Sequence, residues 1–133
     1  MVTLTDEDYR RLLEFRTGLR RFLRWSGSLA ESAGLTAAQH QLLLAIRGHD
    51  DVLGPTVSDV AGYLLVRHHS VVQLVDRVEA AGLVRRRPDA TDTRAVRLRL
   101  TAKGERCLAG LVSATTEELA RVGPQLNRLW KGL

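Results

Sequence analysis

The sequence has little of what marks a secreted or a membrane protein. Its 133 residues include one cysteine, Cys107, so no disulfide can form within the chain, as is usual in a reducing compartment. No apolar run approaches the roughly 18 residues that a membrane-spanning helix requires. The first residues are acidic, unlike those of a secretory signal peptide. These absences predict a cytoplasmic protein without a membrane partner.

Sequence features of catalysis and of metal binding are also missing. The chain has no glycine-rich phosphate loop, no nucleophile elbow and no spaced pair of carboxylates. Its four histidines show no ligand spacing, and the adjacent His68 and His69 would point about 100° apart on a helix. We therefore predict no enzymatic activity, no metal and no cofactor. Cys107 is expected to be a small core residue rather than a redox sensor.

Length and charge distribution indicate one domain with a polyanionic partner. The chain is long enough for a single core but not for two. Its net charge of +5 is concentrated: residues 85–106 contain eight cations and three anions, whereas the remainder contains twelve of each. A concentrated basic segment is typical of a surface that binds nucleic acid.

Two helical patterns separated by a short turn lie just before this basic segment. Thr56 and Asp59 have the spacing of a capping box at the start of the first helix. The second helix has apolar residues at spacings of three and four, namely Val71, Leu74, Val75 and Val78. Gly82 follows as a typical helix end. This pattern leaves an outward face that begins just after Arg67 and contains His68, His69, Val72, Gln73 and Arg77.

The pattern then changes to the alternation of strands. Residues 83–87 and 94–100 are strand-like, and in the second run apolar residues alternate with Arg97 and Arg99. Residues 88–93 between them are typical of a turn. A helix, a turn and a helix followed by a basic hairpin predict a winged helix-turn-helix. Thr56 and Val57 are the candidate for a further short strand of its sheet.

Amphipathic helices are predicted on both sides of this motif. The first begins at Thr5 and keeps an apolar stripe to about Trp25, after which residues 26–28 (Ser-Gly-Ser) are expected to bend or break it. The motif is too small to cover this stripe, so part of it is expected to contact a partner.

Two further helices complete the prediction. One begins with the capping box of Thr36 and Gln39 and ends near Gly48. The other is capped by Thr101, and residues 123–124 (Gly-Pro) are expected to end it and to begin a short terminal helix.

Four segments of the chain resemble the MarR family of bacterial transcription regulators. They are LVDRVE at 74–79, GLV at 82–84, DTRAV at 92–96 and LTAKG at 100–104, in the order and spacing of that family. The resemblance implies an α+β, mostly helical fold, a winged helix-turn-helix with N- and C-terminal dimerisation helices. We expect one domain over residues 1–133, with a DNA-binding winged helix at 36–101 and dimerisation helices at 5–27 and 101–133. Many relatives have glycine where this chain has Leu65, and the family usually ends in a longer helix, which predicts a reduced dimer interface.

The predicted DNA-binding residues form two groups. On the second motif helix they are Arg67, His68, His69, Ser70, Val72, Gln73 and Arg77, and among these Gln73 suits adenine, Arg77 suits guanine and Val72 suits a thymine methyl. In the hairpin, Asp92 and Arg94 match the family's Asp-x-Arg signature, which implies a carboxylate that restrains the wing and an arginine in the minor groove. We expect phosphate contacts from Arg86, Arg87, Arg97 and Arg99. Some of these arginines can instead pair with acids inside the fold, and Arg86 is the first candidate for this.

The sequence therefore predicts a sequence-specific transcriptional regulator that binds double-stranded DNA as a homodimer. The resemblance implies a pseudo-palindromic operator and, often, repression relieved by a phenolic or other amphipathic small molecule. Two alternatives stay open from the residues alone. One is a winged-helix DNA-binding protein without ligand control, and the other is a winged-helix protein-interaction module.

Overall fold

The computed structural model describes residues 2–92 and 94–132, which form five helices and one hairpin. The elements are α1 (Asp6–Ser32), α2 (Ala37–Gly48), α3 (Val57–Leu64), α4 (His68–Ala80), β1 (Val84–Pro88), β2 (Val96–Leu100) and α5 (Ala102–Lys131). No helix in these residues is long and apolar enough to cross a membrane. The mostly helical α+β prediction is confirmed.

The predicted helix starts are confirmed by their hydrogen bonds. At α2, the Thr36 hydroxyl accepts from the Gln39 amide at 3.1 Å, and the Gln39 side chain accepts from the Thr36 amide at 3.0 Å. Thr56 and Asp59 form the same reciprocal pair at α3. Each box satisfies two amides that the first turn of a helix leaves without partners.

The core lies between α2, α4 and the inner face of the hairpin. The apolar stripe of α4 is buried as predicted through Val71, Val75 and Val78. It packs with residues of α2 and β2 that are also inaccessible to solvent, namely Leu42, Leu43 and Leu98. Because this core fixes the rotation of α4 about its axis, it also decides which α4 side chains face outward.

The hairpin is a two-stranded antiparallel sheet in which Val84 pairs with Leu100 and Arg86 pairs with Leu98. Side chains opposite each other point to the same face, so Arg86 lies on the inner face with Leu98. The other face carries four arginines: Arg85, Arg87, Arg97 and Arg99. The further strand expected at Thr56 and Val57 is reduced to one bridge between Thr56 and Arg97.

Two expected helix breaks are wrong. Helix α1 continues through residues 26–28 to Ser32, because Leu29 and Ala30 pack against the core. Helix α5 is continuous for 30 residues with Pro124 inside it, so no separate short helix follows. An internal proline costs roughly 3 kcal/mol, so tertiary packing must offset this cost.

That packing is the antiparallel pairing of α1 with α5. The Leu126 side chain covers Gly18, where an added Cβ would collide with it. The rings of Phe15 and Trp130 lie 5.5 Å apart. Near the end of the pair, the Arg11 guanidinium donates to the Gly132 carbonyl at 2.8 Å. The last two turns of α5 are therefore held by contacts that need a continuous helix.

Leu65 ends α3 in the left-handed conformation, with φ of 57°. Its side chain is 89% exposed, so no packing compensates for this backbone geometry. A left-handed residue with a Cβ costs about 1–2 kcal/mol. Glycine adopts this conformation without that cost, which gives a physical reason for glycine at this turn in the resembled family.

We predict that Leu65→Gly raises the free energy of unfolding by roughly 0.5 kcal/mol. The relief of strain is about 1–2 kcal/mol, and the greater freedom of glycine in the unfolded chain removes about 0.4–1 kcal/mol of it. Urea unfolding at pH 7 measures the difference. The matched control is Val66→Gly, next in the chain but without a positive φ, which should lower stability. A loss of stability in Leu65→Gly would contradict the strain.

Candidate nucleic-acid interface

The outward face of α4 is exposed along its N-terminal half. Arg67, His68, His69 and Gln73 are exposed, and Arg77 is exposed one turn further on. Arg67 is the N-cap residue and its side chain makes no capping hydrogen bond. The first turn therefore presents amides and the positive end of the helix dipole towards solvent, an arrangement that favours a phosphate.

Two predicted α4 residues are less available than the sequence pattern indicates. Ser70 is half-buried, and Val72 is half-buried with its side chain packed against the core. The pattern predicts Val72 on the outward face, but the residue lies at the border between that face and the apolar stripe. It lines the cleft towards the hairpin, so only part of its surface is open to a base.

Arg86 pairs inside the fold, as the exception named for it anticipates. Its guanidinium lies 2.5 Å from the Asp76 carboxylate and also bonds Glu79, both on α4. The Arg86 amide donates to the second Glu79 oxygen at 3.1 Å. The expected phosphate contact is thus replaced by an ion-pair cluster that joins β1 to α4.

Arg97 also differs from the expectation of a solvated, phosphate-binding side chain. Its side chain is only 20% exposed, and Nε donates to the Asp89 carboxylate at 2.7 Å. Nη1 donates to the Gly54 carbonyl at 2.9 Å. On the same face, the Arg99 guanidinium bonds the Val52 carbonyl. Strand alternation correctly places both arginines on the outer face, but the α2–α3 loop covers that part of the face.

The exposed cations of the hairpin are therefore fewer than its composition suggests. Arg85, Arg87, Arg94 and Arg99 are exposed, although Arg99 also bonds the Val52 carbonyl, and Lys103 next to the hairpin donates to the Ala81 carbonyl at 2.9 Å. Arg85 is not among the predicted contacts. Strand register could have found it, because the residue opposite Arg99 must share the arginine face.

The Asp-x-Arg segment lies at the tip of the hairpin. One Asp92 oxygen accepts from the Arg94 amide at 3.0 Å and lies 3.4 Å from its Nε. The Arg94 side chain is 92% exposed despite this contact. Thr93, the middle residue of the signature, lies outside the described residues. Asp92 thus restrains the backbone at the tip while the guanidinium extends into solvent.

A cleft of about 330 Å³ separates the hairpin tip from the helix-turn-helix motif. His68 and Val72 line it from α4, and Arg86, Arg94 and Val96 line it from the hairpin side. The start of α3 forms its floor through Thr56, Val57 and Ser58. The structure therefore brings the start of α4 and the wing arginine to opposite edges of one concave surface.

The histidines occupy different environments. His40 is buried in α2, where burial lowers the pKa of its imidazole. His49 contacts the Tyr63 hydroxyl at 2.7 Å, while His68 and His69 are exposed on α4. Within residues 2–92 and 94–132, no group of three or more His, Cys, Asp or Glu side chains is placed to hold a metal ion.

A comparison with known proteins finds a family model that matches part of the chain. A family model described as the MarR family matches residues 33–95, which contain α2, α3, α4 and β1. Over these residues the chain is similar to the MarR family. No curated protein matches it, so the comparison by fold supplies the individual relatives.

Several solved structures share the fold at low sequence identity. A MepR variant from S. aureus bound to an oligodeoxyribonucleotide is 25% identical, covers 98% of this chain and 93% of its own, and superposes with a TM-score of 0.69. MosR of M. tuberculosis in complex with DNA is 27% identical, with 88% and 87% coverage and a TM-score of 0.60. AbsC, a MarR family transcriptional regulator from Streptomyces coelicolor, is 20% identical, with 91% and 81% coverage and a TM-score of 0.75.

Asp89 organises the loop that leads to the wing tip. One of its carboxylate oxygens accepts from the Thr91 amide at 2.8 Å, the Thr91 hydroxyl at 2.9 Å and the Asp92 amide at 3.1 Å. The other oxygen accepts from Arg97. The Thr91 amide and then the Arg97 guanidinium hold the pKa of Asp89 well below its usual range, against the effect of burial.

We predict that Asp89→Asn makes stability less dependent on acid pH. A carboxylate whose folded pKa is depressed contributes full stability above its unfolded pKa, near 3.9. That contribution is lost as the pH falls through and below this value. The variant should therefore be less stable than wild type at pH 7, and the difference should shrink by pH 3. Urea unfolding at both pH values measures it.

The control for this prediction is Asp50→Asn, which removes an exposed carboxylate from the same side of the molecule. Its unfolding midpoint should follow that of wild type at both pH values. An Asp89→Asn protein whose deficit is equal at pH 7 and pH 3 would show that the carboxylate charge is not what stabilises the loop.

Proposed function

We propose that this protein belongs to the MarR family and regulates transcription by binding duplex DNA as a homodimer, with α4 in the major groove and the wing in the minor groove. The observation that carries the proposal is the concave surface between α4 and the wing. His68 lines one edge of it, His69 and Gln73 are exposed on the same helix, and the exposed Arg94 stands at the other edge. A recognition helix needs such donors near its N-terminal end.

The two kinds of groove contact have different chemistry at this surface. Gln73 can bond an adenine edge with both its amide nitrogen and its oxygen, so it supports base recognition. Arg94 carries a nearly fully exposed guanidinium at a narrow tip, which suits a narrow and negative minor groove. The exposed Arg67 and Arg77 of α4 and its N-cap, and the exposed Arg85 and Arg87 on the outer face of the hairpin, serve as phosphate contacts, which position the protein without specifying sequence.

The DNA complexes of the MepR variant and of MosR support the proposal because each shares the fold over most of its length. The MarR family consists of regulators, so we assign no catalytic role, and we place the protein in the cytoplasm with the DNA. A protein-interaction module, the main alternative, has no need for the exposed arginines of α4 and the hairpin.

A second apolar face on α1 supports the homodimer. One face of α1 is directed at α5, with Phe15 against Trp130 and with Phe22 and Trp25 lining the cleft between the two helices. A different face, about a third of a turn away, carries Tyr9, Leu12, Leu19 and Leu23, which are all exposed in the single chain. Apolar residues at helical spacing on an exposed face mark an interaction surface. A second copy of the chain fits this role, because two recognition helices double the specific contacts.

The continuous α5 changes the expectation for this dimer. The predicted reduction of the interface depends on a short terminal helix after Pro124, but the structure has 30 helical residues in α5 instead. Part of the apolar surface of this segment is already used within the chain, since Leu126 covers Gly18. Trp130 and Leu119 remain exposed along the same helix and extend the surface available to a partner.

Repression and its release by a small ligand are the finer part of the proposal. A dimer seated on an operator blocks a promoter that overlaps it. A cleft of about 520 Å³ between α1 and α5 combines Phe22 and Trp25 with Arg21, while its second arginine, Arg121, is paired with Glu118, and Glu14 also lines the cleft. Aromatic walls beside cations suit an amphipathic anion, which is the chemistry of the effector that the family resemblance implies. Release of DNA on addition of salicylate, as the probe, tests this part separately.

We predict that Gln73→Ala and Arg94→Ala weaken DNA binding in different ways. Gln73→Ala should cost roughly 1–3 kcal/mol on a duplex selected from a randomised pool and little on its shuffled version. Arg94→Ala should weaken binding to both and reduce the slope of log K against log salt by about 0.9. Fluorescence anisotropy titrations of both duplexes at several salt concentrations measure the two effects.

Arg128→Ala is the control for charge, because it removes an exposed arginine from α5, away from the proposed surface. Its salt slope should equal that of wild type. Equal losses on both duplexes for Gln73→Ala would remove Gln73 from base recognition. A wild-type protein that binds neither duplex with a steep salt dependence would overturn the DNA-binding proposal and favour the interaction module.

We predict that Leu23→Glu dissociates the dimer at micromolar concentration. Leu23 is 66% exposed on the second face of α1, so a charge there should oppose burial at an interface while leaving the fold intact. Sedimentation equilibrium measures the mass. The matched control is Leu53→Glu on the α2–α3 loop, where the leucine is 50% exposed. A monomeric wild type, or a Leu23→Glu protein as dimeric as the control, contradicts the assigned interface.

A further inference from the structure

The Arg97 guanidinium joins the hairpin to the α2–α3 loop, which is more than 40 residues earlier in the chain. It donates through Nε to Asp89 at 2.7 Å and through Nη1 to the Gly54 carbonyl at 2.9 Å. The Asp51 carboxylate lies 3.6 Å from the same Nη1. Arg97 itself is on β2, Asp89 follows β1, and Gly54 precedes α3. One planar group thus connects the hairpin loop to the entrance of the helix-turn-helix motif.

The loop on one side of this link is built around Asp89. This carboxylate is only 5% exposed, and its two oxygens accept hydrogen bonds from two loop amides, the Thr91 hydroxyl and Arg97. The Asp89 amide donates in turn to the Ala95 carbonyl at 3.0 Å. The loop therefore closes on itself immediately before Arg94, and its orientation depends on where Arg97 holds the carboxylate.

The segment on the other side is docked closely on β2. Gly54 has φ of 85°, and a Cβ at this position would collide with the Leu98 carbonyl. The Leu98 amide donates to the Pro55 carbonyl at 2.9 Å, and Thr56 pairs with Arg97 through the isolated bridge. Thr56 is the N-cap of α3, so the start of the motif and the base of the hairpin share one set of contacts.

We propose that Arg97 and Asp89 are positioning residues for DNA binding, which set the distance between the wing arginine and the recognition helix. This inference rests on the proposed function and goes one step further. Arg97 is then not one of the phosphate contacts that the sequence predicts, because its donors are already directed at Asp89 and Gly54. The positioning role also gives an acidic residue a favourable part in binding a polyanion.

The direction in which one substitution changes DNA affinity distinguishes a positioning role from a purely electrostatic one. Asp89→Asn removes a negative charge close to the DNA-binding surface, so long-range electrostatics predicts tighter binding and a steeper salt slope. Loss of positioning predicts the opposite, because a misplaced Arg94 no longer reaches its groove. We expect weaker binding and a slope reduced by about 0.9, which is the loss of one contact.

The conservative variant Arg97→Lys provides a second, independent test of the positioning role. Lysine keeps the charge but lacks the planar fork that reaches Asp89 and Gly54 at once. A phosphate contact would survive this change, whereas a positioning role would not. Arg97→Lys should therefore lose the same part of the salt slope as Asp89→Asn and Arg94→Ala.

The deciding experiment is a double-mutant cycle on the selected duplex, with anisotropy titrations over a range of salt. Asp89→Asn should weaken binding in the wild-type background and have little further effect when Arg94 is already alanine. Asp50→Asn is the control of equal charge, and its binding should equal or slightly exceed that of wild type. Circular dichroism confirms that each variant is folded at the titration temperature.

The outcomes of this experiment distinguish a failure of the positioning role from a failure of the proposed DNA-binding function. If the wild-type protein binds the duplex and the Asp89→Asn protein binds it equally well or more tightly, only the positioning role is overturned. The positioning role also fails if Arg97→Lys binds like wild type, or if the effects of Asp89→Asn and Arg94→Ala add in the double variant. Wild-type protein without salt-dependent binding overturns both the proposed function and the inference.

Discussion

The ion pairs of Arg86 with Asp76 and Glu79 are the contact on which the geometry of the DNA-binding half depends. They join the inner face of the hairpin to the outer side of α4, at the edge of the core formed by Val75 and Leu98. Removing the guanidinium would leave the Asp76 and Glu79 carboxylates without the cation that they share, and the hairpin without its bonds to α4. Together with the Arg97 contacts on the other face, they fix the hairpin against the helix-turn-helix motif from two sides.

Much of this half follows from local sequence rules. The boxes at Thr36 and Thr56 begin their helices as the spacing predicts, and Gly82 ends the turn after α4 with φ of 78°. The rules succeed here because each signal acts within one helical turn or one strand. Alternation also predicts the arginine face of the hairpin, since side-chain direction in a strand depends only on position.

The failures come from contacts between residues distant in sequence. Local propensity alone predicts breaks at residues 26–28 and at Pro124, but the pairing of α1 with α5 keeps both helices continuous. Burial of Arg97 requires the α2–α3 loop to fold over β2, and no pattern within β2 indicates it. The Arg86 exception is accessible from sequence because acids at 76 and 79 lie on a neighbouring helix with a predictable face. Exposure of individual arginines, rather than the number of them, therefore decides which can contact DNA.

The uninterrupted α5 has a mechanical consequence. It begins directly after β2 and ends against the first turns of α1. One rigid helix therefore connects the base of the hairpin to the N-terminal end of α1. Thirty helical residues extend about 45 Å, and tilting a rod of that length by roughly 5° moves its far end by about 4 Å. That displacement is comparable to the rise of one base pair. A slight change of angle where two copies meet would therefore alter the spacing of their recognition helices by enough to lose the register of an operator.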